Sequence, residues 1–120
     1  MNGIKRKQEI SEVFQLGKRF RISNGTLIVY TLDQPEKGKV IKLLIMIKKK
    51  LANSVRRNRI RRVIREAVRT SAGIIPDGKE VRLIFLVNHT DVDFHKLKTE
   101  VENKLKFIFG IDRNKGNGWE

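Results

Sequence analysis

Apolar residues recur along this chain at two periods, and each period marks a different kind of element. Between residues 60 and 68, Ile60, Val63, Ile64, Ala67 and Val68 follow the i, i+3, i+4, i+7, i+8 spacing of a helix lying on a core. Ile10, Val13 and Phe14 place a shorter helix over residues 9–16, stopped by Gly17. Phe94, Leu97, Val101, Leu105 and Ile108 place a last one, with Thr90 and Asp91 as its capping residues. The runs TLIVYTL (26–32), VIKLLIMI (40–47) and VRLIFLV (81–87) are β-branched and aromatic, as strands are. DQPEKGK between the first two is turn chemistry and predicts an antiparallel hairpin. On its second strand Ile41, Leu43, Ile45 and Ile47 share one face, and Lys42 shares the other with Val40, Leu44 and Met46. The order is helix, strand, strand, helix, strand, helix, with an extra short strand in residues 19–23. It predicts one α+β sandwich domain over residues 1–120, its helices packed on one face of a single sheet. Residues 1–6 and 111–120 read as flexible ends.

The polar side of the central helix changes this picture from a fold to a function. LANSVRRNRIRRVIREAVRT, residues 51–70, holds seven arginines and one glutamate. Opposite the apolar stripe, Asn58, Arg62, Arg65 and Arg69 form a nearly straight row, with Arg61 and Arg59 on its flanks. Arg57 with Arg61, Arg61 with Arg65, and Arg65 with Arg69 are like-charge i, i+4 pairs, each costing about 0.2–0.5 kcal/mol if nothing screens them. Solvated helix faces mix signs; this one does not. The excess extends to the whole chain, where 27 Lys and Arg face 13 Asp and Glu for a net charge of +14. Such an excess points to a polyanion. Arginine in a rigid row suits phosphate, because its planar fork grips two oxygens at once and can also stack on an unpaired base. A membrane surface fits less well, since the apolar side of this helix is short, aliphatic and required by the core. With no cysteine, a charged N-terminal stretch, and LLIMI as the longest apolar run, the expected location is the cytoplasm.

At these residues the chain resembles a known family. Lys49, Lys50, Leu51, Ala52, Asn53, Ser54 and Val55, then Arg57, Asn58, Arg59 and Ile60, then Arg62, Ile64, Arg65, Glu66 and Arg69, are similar to the arginine-asparagine-arginine signature of the bacterial ribonuclease P protein subunit. VFQLGKRF and LIVYTL ahead of DQPE resemble that family too. The resemblance implies a basic α/β sandwich like a ribosomal protein domain, with a left-handed crossover between parallel strands against the usual rule. It implies an accessory subunit of the endonuclease that removes the 5′ leader of precursor tRNA, with the catalytic magnesium held by the RNA partner. Catalytic-RNA contacts carry over to Lys49, Lys50, Asn53, Arg57, Asn58, Arg59, Arg62, Arg65 and Arg69. A cleft between sheet and first helix would take the single-stranded leader at Phe14, Lys18, Arg19 and Tyr30, with Lys42 and Lys48 as weaker candidates. Aromatic platforms beside positive charge hold unpaired nucleotides without strict sequence preference; for Phe14 and Tyr30 the competing reading is core packing. The chain departs from the family pattern at Ile10, where an aromatic is usual, and at Ala52, Ser54 and Lys48.

Candidate chemistry elsewhere is thin. His89, Asp91, Asp93 and His95 alternate in NHTDVDFH, a spacing that would align four metal ligands on one side of a strand, but the stretch reads better as the start of the last helix. No nucleophile constellation, phosphate-binding glycine loop or carboxylate pair is present, so no catalytic residue is assigned, and no metal or cofactor is expected on the protein itself. The expected partners are the catalytic RNA and the precursor tRNA leader, without an obligate protein partner. A ribosomal or RNA-chaperone protein is the alternative, since it shares the basic helix but needs no leader cleft.

Overall fold

The computed structural model describes residues 1–34 and 36–110. Its elements are β1 (Asn2–Gly3), α1 (Lys7–Leu16), β2 (Lys18–Ile22), β3 (Gly25–Asp33), β4 (Val40–Ile47), α2 (Ser54–Thr70), β5 (Lys79–Val87) and α3 (Phe94–Leu105). The five strands form one sheet in the order β1-β4-β5-β3-β2. The α+β class and the additional strand ahead of residue 26 are as expected; three other expectations are corrected.

First, the two strands expected to form a hairpin do not touch. β5 lies between them, antiparallel to β3 and parallel to β4, with Ile28 opposite Ile84 and Ile84 opposite Leu44. The cause is burial: Val81 through Phe85 of β5 are all buried, which only a central strand achieves. The connection after β3 passes over the start of β5, where Gln34 donates its N–H to the Gly78 carbonyl and Gly78 donates to that of Gly38 (2.9 and 2.7 Å). Lys39 then donates to the carbonyls of Ala72 and Ile75 beyond the C-terminus of α2 (2.6 and 2.7 Å).

Second, helices cover both faces. The odd-numbered residues Leu27, Val29, Ile41, Leu43, Ile45, Val81, Leu83 and Phe85 pack with Ile60, Ile64, Ala67 and Val68 of α2 and Leu97, Val101 and Leu105 of α3. The even-numbered Ile28 and Ile84 pack with Val13, Ile10 and Phe14 of α1 and with Ile4. A strand apolar on both sides needs a layer on each. Third, the first residues are not a free end: Asn2 and Gly3 pair with Lys42 and Leu43, and Ile4 is buried. The tail 111–120 lies outside the described residues.

Helix ends also differ in detail. α3 is capped by Asp93, whose carboxylate accepts from the N–H groups of His95 and Lys96 (2.9 and 3.1 Å), and not by Thr90 or Asp91. Thr90 instead donates its hydroxyl to the Leu51 carbonyl (2.9 Å). α1 does end at Gly17, but with extended backbone (φ −74°), so the glycine is required for space and not for a left-handed turn. A Cβ there would lie 2.5 Å from the Val13 carbonyl oxygen and 2.8 Å from Ile28 Cγ2. Gly17→Ala is therefore expected to destabilise the fold by about 1–3 kcal/mol, the usual cost of overpacking. Urea unfolding of the variant checks this, and an unchanged midpoint would mean that α1 can shift off the sheet.

Candidate nucleic-acid interface

β4 delivers the chain to a 3-10 turn at Lys49–Leu51, and Asn53 then starts α2 by accepting the Arg56 N–H on its side chain (2.9 Å). The asparagine satisfies one of the amides that a helix start leaves unpaired. The first arginines are held by the protein itself. Arg56 donates to the carbonyls of Thr90 and Val92 (2.5 and 3.4 Å), and its guanidinium lies 5.0 Å from the Phe94 ring centre. Arg59 covers the same ring at 4.2 Å. Arg57 donates to the carbonyls of Lys49 and Ala52, tying the helix to the preceding turn.

Further along, Asn58, Arg62, Arg65 and Arg69 are exposed, as the helical periodicity places them. Arg69 pairs with Glu66. Arg62 and Arg65 have no ion-pair or hydrogen-bond partner among the described residues. Lys49 and Lys50 are exposed on the turn beside them, so a continuous cationic surface runs from that turn along the outer side of α2.

The residues expected at a leader cleft do not all converge. Phe14 and Arg19 do, the guanidinium lying 5.8 Å from the ring centre. Tyr30 packs in the α1 layer, and its ring is faced by Arg82 at 5.7 Å. Lys18 is opposite Val29 and so projects from the other face of the sheet, whereas Arg19, opposite Ile28, shares the face of α1. Lys48 is exposed at the far end of β4. Lys42 is engaged by carboxylates, 2.8 Å from Glu9 and 3.6 Å from Glu80.

That last pair belongs to a cluster that sequence reasoning did not assemble. Arg82, only 6% exposed in the middle of β5, donates to Glu80 and Glu12 (both 2.7 Å) and lies 3.6 Å from Glu9. The hydrogen bond from Lys42 is the main cause that holds the Glu9 carboxyl below the usual glutamate range, against the opposing effect of burial. Burial disfavours the Arg82 charge, but the hydrogen bonds to Glu12 and Glu80 outweigh it and leave the guanidinium firmly protonated. The carboxylates thus neutralise both cations beneath α1.

His89, Asp91, Asp93 and His95 lie along the segment entering α3, and Asp93 is its cap. Among the described residues no three His, Asp or Glu side chains are grouped to hold a metal ion.

The model of the Ribonuclease P family matches residues 1–108. The chain belongs to the ribonuclease P protein family. The family provides the protein component of the ribonuclease P ribonucleoprotein endonuclease, and relatives named ribonuclease P protein component are similar over most of their length. That of Listeria innocua is 33% identical over 103 residues, 86% of this chain and 84% of the relative. That of Geobacillus kaustophilus is 30% identical over 110 residues, 92% and 88% of the two chains. The fold is shared with the Staphylococcus aureus RNase P protein (TM-score 0.66, 23% identity, 90% of this chain and 95% of that one). It is shared also with the RNase P protein from Thermotoga maritima (TM-score 0.65, 22% identity, 89% and 97%).

Within this ribonuclease P protein, sequence reasoning missed Arg82 and its carboxylates because strand pairing, not local pattern, unites residues 9, 12, 42, 80 and 82. The one available signal was an arginine and a glutamate at alternate positions of an otherwise apolar strand. It also passed over Arg61, a half-buried residue at the edge of β4, which it placed only as a flank of the outer row.

Proposed function

We propose that this chain is the protein subunit of a cytoplasmic ribonuclease P, binding the catalytic RNA through the outer surface of α2 and the precursor tRNA leader through the face of the sheet that carries α1. Cleavage at the mature 5′ end is the work of the RNA and its magnesium. The protein contributes charge neutralisation and a hold on the single-stranded leader. The observation that carries this reading is the cationic surface formed by Lys49, Lys50, Arg62, Arg65 and Arg69 on a rigid helix in a chain of this family. Charges so placed lack enough internal carboxylates, and phosphates supply them. Arg57 and Arg59 reach the RNA only with part of their donors, the rest being held by backbone carbonyls and by Phe94.

For the leader, the Phe14 ring beside Arg19 offers a stacking surface with a phosphate grip. Lys42 is left out of the contact set, because its charge is paired with Glu9 and Glu80. A general RNA-binding role without cleavage is not favoured by the family match.

Reconstitution with a bacterial ribonuclease P RNA tests the reading. The holoenzyme is expected to process precursor tRNA at a magnesium concentration where the RNA alone is slow, and to bind leader-bearing substrate more tightly than mature tRNA. A protein that changes neither would refute it, and cleavage by the protein alone would replace it with a nuclease reading.

A further inference from the structure

The exposed arginines of α2 are not held alike. Hydrogen bonds from arginines of this helix come from Arg56, Arg57, Arg61 and Arg69. Arg59, Arg62 and Arg65 make none among the described residues, and all three are exposed. Arg59 differs from the other two in having a ring beside it. Phe94, the first residue of α3, puts its ring centre 4.2 Å from the Arg59 guanidinium carbon. The ring quadrupole attracts a guanidinium, which is weakly hydrated and stacks readily. Such a contact fixes the side chain without a carboxylate to cancel its charge.

The ring is itself held in place across the start of α2. Arg56 draws in the carbonyls of Thr90 and Val92, the Thr90 hydroxyl donates to the Leu51 carbonyl ahead of the helix, and the Asp93 cap then starts α3. Phe94 follows directly, half-buried against the core, with Arg56 also 5.0 Å from its centre. Burial alone would be served by leucine; only an aromatic ring serves the two cations as well. A flexible arginine must lose rotamer freedom when it grips a phosphate, and a side chain already ordered loses less.

We propose that Phe94 is a positioning residue for RNA binding: its ring holds the Arg59 guanidinium at the surface of α2 so that the donors directed away from the ring meet a phosphate of the catalytic RNA. The last helix then contributes to affinity through a side chain of another helix. This rests on the reading of α2 as the catalytic-RNA surface and adds a residue that lies outside that helix.

The test measures affinity of the full chain for a bacterial ribonuclease P RNA by filter binding, at a temperature where melting curves show every variant folded. Phe94→Leu keeps an apolar side chain and loses the ring; it is expected to weaken binding about fivefold, the effect of one partly exposed cation–π contact. Phe94→Tyr keeps the ring and should stay within about twofold of wild type. Arg59→Gln is expected to weaken binding about tenfold and to flatten the dependence of log affinity on log salt by about 0.7–0.9. On that background Phe94→Leu should cost less than about twofold, because nothing is left to position. A loss in Phe94→Leu that persists in full on the Arg59→Gln background, a loss that Phe94→Tyr shares, or no loss at all would overturn the proposal and leave the ring a core residue. Phe94→Met carries the same expectation should the leucine variant fail to fold. If Arg59→Gln changes nothing while Arg62→Gln weakens binding, the α2 surface stands and the role of Phe94 falls. If neither weakens it, the α2 reading falls, and this role with it.

Discussion

Glutamine at both Arg62 and Arg65 is expected to weaken binding to a ribonuclease P RNA by about a hundredfold at physiological salt, one factor of ten for each charge-assisted phosphate contact. The dependence of log affinity on log salt should flatten by about 1.4 to 1.8, the counterion release of two phosphates. Both residues are exposed and, among the described residues, without an internal partner, so the fold does not need them. Removing Arg65 even relieves like-charge neighbours at Arg61 and Arg69, and the helix should gain about 0.5 kcal/mol. Affinity and stability therefore move in opposite directions. Filter binding across a salt series, beside urea unfolding of the free protein, checks both. An unchanged slope would mean that this row does not face RNA.

Arg82→Met is expected to have the opposite profile. It leaves the largely buried Glu80 and the half-exposed Glu12 without their hydrogen-bonded partner, which costs about 1–3 kcal/mol of stability. α1 should loosen from the sheet, since Glu12 is held there by this side chain, while contacts of α2 with the catalytic RNA remain. The same cluster shapes the response to acid. The Glu9 pKa is lowered in the folded protein, so its contribution is complete above the usual glutamate value and is lost as pH falls through the depressed one. Glu9→Gln should accordingly make stability less steeply dependent on pH on the acid side. A melting temperature series between pH 3 and 7 would show it, and parallel curves for variant and wild type would place the acid sensitivity elsewhere.

The parts of the fold that the sequence revealed were those with a local cause. The stripe of Ile60, Ile64, Ala67 and Val68 is buried as its spacing dictates, and Asn58, Arg62, Arg65 and Arg69 are exposed for the same reason. The pairing of strands has no local cause, and there the expected hairpin failed: turn residues in 33–39 allow a reversal but do not choose the neighbour. The choice went to β5, whose residues are apolar toward both sides. Likewise Lys42 looked like a free cation in a cleft until β5 placed Glu80 beside it and α1 brought Glu9 within 2.8 Å. Lys18 and Arg19 looked equivalent until the register of β2 sent them to opposite faces. The cationic helix surface was legible because charge periodicity records it directly. The groove at the end of β4 was not, because Thr26, Met46, Leu86 and Arg61, which line it, are brought together only by the assembled sheet.

The position of β5 also governs how this chain can fold during synthesis. β3 and β4 leave the ribosome with no partner for the edges they will share with β5, and α2 must follow before residues 79–87 arrive to fill the gap. Until then two apolar strands wait with open edges, a state prone to aggregation and slow to resolve because its decisive contacts are far apart in sequence. The adjacent 51–70 segment, with its seven arginines, supplies charge repulsion between such waiting chains. Anionic RNA would relieve that repulsion, so the order of events matters: the sheet should close before the helix meets its partner.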